Sequence, residues 1–195
     1  MKRTVLYCSL AVWLCPALAF AQDQKPNTIS VSLTEAVERI VSEEPTRLLH
    51  LRGELLANNP EAVDYESILK LEGADNCVIS IFNTPGDTTA CWKADLPALD
   101  DFGAAQKLYK SLYESLRAAR INRLHPGVTY RLDGSYTAAS ADKASNSIEF
   151  TLTPEEAEFK KIRVQILMNY VMPEWNIQIQ VYEKPGELGE TASDQ

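Results

Sequence analysis

The strongest hydrophobic pattern in the chain lies in residues 99–121, where apolar side chains recur every three or four positions. Asp100 and Asp101 precede this stripe, and a carboxylate at a helix start can accept hydrogen bonds from the unpaired N–H groups there. Arg117 and Arg120 fall near the end, where positive charge complements the helix dipole. The segment is therefore predicted to be one amphipathic helix that packs on a sheet. Its apolar positions are Phe102, Ala105, Leu108, Tyr109, Leu112, Leu116 and Ala119.

A helical pattern also occurs near the start of the chain. Ser32 and Glu35 have the spacing of a capping box, in which each side chain bonds a free N–H group of the first turn. Pro45 must interrupt this helix, because proline has no N–H and disfavours helical geometry before it. Leucines at helical spacing predict that the helix resumes over residues 46–57, although Gly53 weakens this second piece by about 1 kcal/mol relative to alanine.

Elsewhere the hydrophobic period changes from nearly four to two, which indicates half-buried strands. Turn-forming residues separate most of these strands, and residues 134–146 are small and polar enough to predict a long mobile loop. Short connections favour an α+β fold with an antiparallel sheet of about six to seven strands, covered on one face by helices, in the order α-βββ-α-ββββ. The predicted strands span residues 63–71, 77–82, 88–94, 128–132, 148–152, 162–171 and 176–182.

The first residues have the composition of a signal peptide. Lys2 and Arg3 precede an apolar run, and Ala19-Phe20-Ala21 matches a small-x-small cleavage pattern before Gln22. The apolar run is too short for a comfortable membrane span. We therefore expect export to the periplasm or the extracellular space without a stable membrane anchor. The predicted organisation is a signal peptide at 1–21, a flexible leader at 22–31, a single α+β domain at 32–183 and a disordered tail at 184–195.

The charge of the chain limits its partners. The formal net charge is −8, and removal of Lys2 and Arg3 with the signal peptide brings it to −10 (−8 minus two positive charges). An acidic domain repels phosphate backbones, so nucleic acid is not an expected partner. A protein or another component of the cell envelope is the expected partner.

Two cysteines, Cys77 and Cys91, remain after cleavage of the signal peptide. In an oxidising compartment an even number of cysteines favours a disulfide, here across the predicted strand hairpin. A metal site lacks nearby ligands, since His50 and His125 are the only histidines and neither is close in sequence. A catalytic Cys–His pair remains the alternative.

No motif for nucleophilic catalysis, zinc binding or phosphate binding occurs in the chain. We therefore expect no cofactor and favour a binding protein over an enzyme. A small hydrolase that uses paired carboxylates remains open, because their separation depends on the fold. A third alternative is a carrier with an apolar cavity between helix and sheet, lined by Leu108, Leu112, Ile148 and Ile179.

One sheet face is predicted to be polar and to point away from the helices. Its side chains include Thr129, Glu149, Thr151, Gln165 and Asn169. They can simply make that face soluble, or they can form a binding platform with aromatic residues at its rim. The predicted binding residues are Arg131, Tyr136, Trp175, Gln178, Gln180 and Tyr182.

Overall fold

The computed structural model describes residues 28–84 and 87–184. In this part the chain forms ten strands, two α-helices and two short 3₁₀ turns, at Glu44–Thr46 and Leu49–Leu51. The helices are α1 (Leu33–Glu43) and α2 (Phe102–Ala118). The strands are β1 (Ile29–Val31), β2 (Arg52–Asn58), β3 (Ala62–Ser67), β4 (Leu69–Leu71), β5 (Asn76–Thr84), β6 (Asp87–Asp95), β7 (Arg131–Asp133), β8 (Ser145–Thr153), β9 (Ile162–Val171) and β10 (Glu174–Glu183).

Eight strands form one antiparallel sheet in the order β2-β3-β5-β6-β10-β9-β8-β7, and β1 and β4 form a separate parallel pair. The prediction of a mixed α+β fold with an antiparallel sheet is confirmed. The predicted number and order of strands differ from the structure, which has five strands between the two helices instead of three. The sheet consists of two meanders, β2-β3-β5-β6 and β7-β8-β9-β10, and their last strands pair with each other at the centre.

Helix α2 is confirmed, with bounds shorter than the predicted 99–121. Asp101 caps it as expected, since its Oδ1 accepts a hydrogen bond from the Ala104 N–H at 2.7 Å. Tyr109 and Leu116 are fully buried on the face that packs against β7, β9 and β10. The flanking residues predicted as helix are extended instead and form isolated bridges, Leu99 to Trp175 and Ile121 to Tyr130.

Helix α1 begins after Ser32, as the sequence predicts, but the capping box does not form. The Ser32 side chain makes no capping hydrogen bond, and Glu35 instead accepts from Arg39 at 2.8 Å. The buried residues of α1 lie against β4, β10 and α2. Both helices therefore cover the same side of the large sheet.

The helix predicted over residues 46–57 is wrong. Arg47 and Leu48 have φ angles of 54° and 59°, and two successive left-handed residues end helical geometry. The chain then runs as β2, an edge strand paired with β3. Gly53 lies where a Cβ atom would meet the Glu66 carbonyl oxygen at 2.9 Å, so it permits a close approach of the two strands.

The main core lies between the helices and one face of the sheet. Alternate residues of the central strands point into it, among them Ile79, Trp92, Phe150, Ile166 and Ile179, all fully buried. The intervening residues of the same strands are polar or half-exposed, which gives the sheet a second, uncovered face. The predicted segregation into an apolar and a polar face is thus present.

Several predictions concern residues at the ends of the chain. The predicted signal peptide, residues 22–27 and the tail from residue 185 lie outside the described residues. The leader predicted over 22–31 is wrong for Ile29–Val31, because these residues form β1 and pair with β4. No helix in the described part of the chain is long and apolar enough to cross a membrane.

The loop over residues 134–146 is attached to the domain, contrary to the predicted mobility. Ala139 is 6% exposed within the core, and its carbonyl accepts a hydrogen bond from Gln106 of α2. The Asn146 side chain accepts from the Ser140 N–H at 2.9 Å and donates to the Ser140 carbonyl at 3.2 Å. Polar contacts to its own backbone hold a segment that lacks large apolar residues.

The predicted Cys77–Cys91 disulfide is wrong, because both cysteines are free. The register of the hairpin explains this: Cys77 lies opposite Ala94, and Cys91 lies opposite Ser80. Cys77 and Ser80 are three positions apart on one strand and therefore point to opposite faces of the sheet. The two thiols are on different sides of the sheet and cannot bond without a change of register.

Candidate binding face

The uncovered face of the sheet, called the open face below, consists of the outward side chains of β5, β6, β10, β9 and β8. One row of directly paired residues crosses four of these strands: Ser80, Cys91, Tyr182 and Arg163. The next row contains Lys93, Gln180, Gln165 and Glu149, and Gln178 lies one row further. Of the six predicted binding residues, Gln178, Gln180 and Tyr182 lie together on this face, in β10.

Hydrogen bonds fix the polar side chains of the open face. The Tyr182 hydroxyl donates to Glu149 Oε2 at 2.8 Å, and Arg163 Nε lies 3.2 Å from Glu149 Oε1. Burial, together with the bond to Glu149, raises the pKa of Tyr182 to about 12, so this phenol stays protonated at neutral pH. Gln180 Nε2 donates to Gln178 Oε1 at 3.2 Å. The face is thus an ordered surface with few free charges.

An apolar depression of about 390 Å³ interrupts this polar surface. Cys91 is the first residue of β6 that pairs with β10, opposite Tyr182. The depression lies beside the residues of β6 that precede Cys91 and have no partner in β10. Phe82 of β5 forms one wall and is 42% exposed, which is high for a large aromatic side chain. The lining residues are Phe82, Thr89, Ala90, Cys91, Gln180, Tyr182 and Glu183.

Cys91 is a poor nucleophile in this position. Burial raises the pKa of its thiol to about 11, with only partial compensation from Lys93, so the reactive thiolate is scarce at neutral pH. Neither histidine is placed to activate it, since His50 contacts Glu43 and His125 contacts Glu156, each at 2.9 Å. The Cys–His alternative therefore has no geometric support, and the thiol is best described as part of the wall of the depression.

Trp175 and Tyr136 were expected at the rim of the open face, but both lie elsewhere in the structure. Trp175 is the second residue of β10 and is 6% exposed on the helix side, with its ring centre 5.1 Å from that of Phe102. The Tyr136 ring packs against Tyr113 of α2 at 5.0 Å, also on the helix side. Arg131 lies at the far edge of the sheet, in β7. The predicted set is therefore divided among three places.

Phe82 and Cys91 belong to the site but were not predicted from the sequence as binding residues. In β5 the buried residues are Cys77, Ile79 and Ile81, so Phe82 falls on the same phase as the polar Ser80. An aromatic residue on the polar phase of a strand was the available signal. The depression itself depends on the unequal ends of β6 and β10, which the hydrophobic pattern does not encode.

Glu44 and Glu183 form a pair of neighbouring carboxyl groups in which the pKa of Glu44 is raised. Burial raises the pKa of Glu44, and the neighbouring charge of Glu183 and a hydrogen bond between the two side chains raise it further. Lys161 Nζ lies 3.8 Å from Glu183 Oε1 and offsets part of this repulsion. Among the described residues there is no group of three or more His, Cys, Asp or Glu side chains that could hold a metal ion.

The residues proposed to line an apolar carrier cavity belong to the packed core. Ile148 and Ile179 are 2% and 0% exposed, and Leu108 and Leu112 of α2 pack against the same cluster. None of the four lines the apolar depression. The arrangement resembles ordinary core packing of a helix on a sheet.

Comparisons with known proteins leave the site to be interpreted by its own geometry, because no family model, no curated protein and no solved structure matches this chain.

Proposed function

We propose that the protein is a non-enzymatic binding module that acts after export and holds an extended segment of a partner protein at the apolar depression of the open face. The observation that supports the proposal is an exposed aromatic wall, Phe82, beside an apolar concavity on an otherwise polar sheet. Interfaces generally place one apolar side chain in such a pocket and surround it with polar contacts.

The edge of β6 supports an extended partner. Residues 88–90 continue β6 past its pairing with β10, so no described strand lies beside them on that side. An added strand can bond to such an edge through its backbone and insert alternate side chains into a neighbouring pocket. The net charge of −8 on the chain favours a basic residue beside the apolar anchor.

The proposal is tested by selection of random peptides on the immobilised protein, followed by titration of the selected peptides. We expect sequences with one large apolar residue next to lysine or arginine. Their binding should shift backbone amide NMR signals of residues 88–91 and 180–183. Phe82→Glu should weaken binding by about tenfold or more, since loss of a central anchor exceeds about 1.4 kcal/mol.

Val171→Glu is the matched control, because Val171 is also an exposed apolar residue, 62% exposed, but lies at the distant end of β9. It should leave peptide binding unchanged. Equal binding by wild type and Phe82→Glu, or amide shifts confined to other surfaces, would contradict the proposal.

A carboxylate-based hydrolase is the second candidate, and the coupled pair Glu44 and Glu183 is the observation that favours it. A carboxyl group with a raised pKa beside a second carboxyl group is an arrangement that general acid–base hydrolysis can use. Hydrolysis of glycoside or ester substrates by the wild type, abolished by Glu44→Gln, would support this candidate over the binding module. Wild-type protein with no such activity leaves the pair a structural contact.

A further inference from the structure

A second cavity, of about 410 Å³, lies at the opposite edge of the sheet from β2, between strand β7 and the end of helix α2. Its lining residues are Arg117, Arg120, Arg131, Leu132, Asp133 and Thr153. We refer to it as the arginine cavity. It is distinct from the apolar depression, with which it shares no residue.

The charge of the arginine cavity is opposite to that of the whole chain. Three guanidinium groups line it together with one carboxylate, so its formal charge is +2 (three positive charges minus one), whereas the chain carries −8. Arg117 is held by Asp133, with Nη1 and Oδ1 2.6 Å apart. The remaining two arginines have no carboxylate partner within the part of the chain that the structure describes.

Arg120 is fixed in position. Its Nη1 donates to the carbonyl oxygens of Ala118 and Ala119, both at 2.9 Å, and so covers the negative end of α2. The Nε and Nη2 donors of this lining residue have no partner among the described residues. The side chain of Arg131, on the edge strand, makes no hydrogen bond or ion pair to any described residue. Two sets of unpaired guanidinium donors therefore face one space.

From this arrangement we infer that the arginine cavity binds a compact oxyanion, with the phosphate dianion as the best match. Guanidinium groups present paired N–H donors that match two oxygens of a phosphate at once, and a dianion balances the formal charge of +2. Thr153 also lines the cavity, and its hydroxyl can donate one more hydrogen bond.

The neighbouring surface indicates a single anionic group instead of a polyanion. A smaller cavity of about 310 Å³ adjoins through Asp133 and Thr153 and contains two more cations, Lys160 and Arg163. Both of these are paired with carboxylates, Glu155 at 3.7 Å and Glu149 at 3.2 Å. The positive charge available to a ligand is therefore confined to the arginine cavity.

The inference is tested by titration of the full protein with inorganic phosphate at constant ionic strength, followed by amide NMR signals and calorimetry. Glycerol 3-phosphate forms a second arm, which distinguishes free phosphate from a phosphate group on a larger molecule. We expect saturable shifts at residues 117–120, 131–133 and 153, with a Kd of about 1 mM or lower. Added sodium chloride should weaken binding, because salt screens charges on an open surface.

Arg131→Gln and Arg120→Gln should each weaken phosphate binding by about tenfold, and Arg131→Lys should restore part of it, since lysine keeps the charge without the paired donors. Lys107→Gln is the matched control, because it removes one exposed positive charge from helix α2 outside the arginine cavity. It should bind phosphate as the wild type does. Phosphate shifts that are linear and unsaturated, or a loss of affinity equal in Lys107→Gln and Arg131→Gln, would overturn the inference. Because Arg131 is exposed and without a described partner, its substitution should leave the thermal unfolding temperature unchanged.

Discussion

The Ser67 hydroxyl is the buried polar group whose removal should most directly test the packing beneath the open face. Ser67 is 0% exposed, and its Oγ accepts a hydrogen bond from Trp92 Nε1 at 3.1 Å. The Ser67 O–H donates to the Leu69 carbonyl at 2.8 Å, and its oxygen also accepts from the Leu69 N–H at 3.2 Å. Trp92 follows Cys91 directly in β6, so this contact fixes the strand that forms the floor of the apolar depression.

Ser67→Ala is expected to destabilise the protein by about 2–3 kcal/mol. The substitution leaves the indole N–H of a fully buried tryptophan without an acceptor, and an unpaired buried donor costs about 1–3 kcal/mol. Loss of the two contacts to Leu69 adds to this, whereas relief from burial of the hydroxyl subtracts from it. In a Trp92→Phe background the donor is absent, so the same serine substitution should cost about 1–2 kcal/mol less.

Urea unfolding followed by far-UV circular dichroism measures these differences, and an unchanged m-value shows that the unfolded state is the same. Ser147→Ala is the control, since Ser147 is an exposed serine of β8, and its change should stay within about 0.5 kcal/mol. If Ser67→Ala is as stable as Ser147→Ala, or if it costs the same with Trp92 and with phenylalanine at position 92, the indole–hydroxyl hydrogen bond does not stabilise the fold.

Three further predictions concern single sites. Folding raises the pKa of Glu44 above its ordinary value of 4.5. The contribution of this group to stability is therefore fully present below pH 4.5 and is lost as the pH rises through the pKa of the folded protein. Glu44→Gln should therefore raise the thermal unfolding temperature at pH 7 and give little gain at pH 4, whereas equal gains would contradict the titration argument. The pKa of about 11 at Cys91 leaves about one thiol in a thousand as thiolate at pH 8. Alkylation of Cys91, followed by intact-mass analysis, should therefore be at least about tenfold slower than that of a free cysteine. Rapid labelling of Cys91 would be inconsistent with its burial. Gly134→Ala should destabilise the protein by about 1–3 kcal/mol in urea unfolding, because the new Cβ would meet atoms of β8 at 2.6 and 2.7 Å, and an unchanged midpoint would show that the loop moves aside.

The elements that sequence analysis identified well are those with strong local signals. Helix α2 combines a capping carboxylate, Asp101, with a continuous apolar stripe, and strand β9 spans the predicted residues 162–171. Residues 46–57 show the limit of this approach, since their leucines fit a helical period. Their actual conformation depends on pairing with β3, and Gly53 permits the close approach of the two strands. Tertiary pairing overrode local propensity here.

The candidate site was only partly predictable for a related reason. The alternation of β10 correctly placed Gln178, Gln180 and Tyr182 on one face, because a strand has a strict period of two. The position of Trp175 depended on Leu99, a distant residue that bridges to it. A shift of one residue in the pairing of β5 with β6 turns a side chain to the other face of the sheet. The observed register places Cys77 and Cys91 on opposite faces. Such long-range and turn-dependent features leave little trace in one sequence.

The pairing of β6 with β10 also determines the order in which the molecule can be completed. Every other neighbouring pair in the large sheet joins strands of the same meander, whereas β6 and β10 are separated by residues 96–173. During synthesis the first meander can form early, but β6 remains an unpaired edge until the last described strand arrives. The centre of the sheet can therefore close only once β10 has been synthesised, and a chain stopped before residue 174 would expose this edge of β6 as a surface for aggregation.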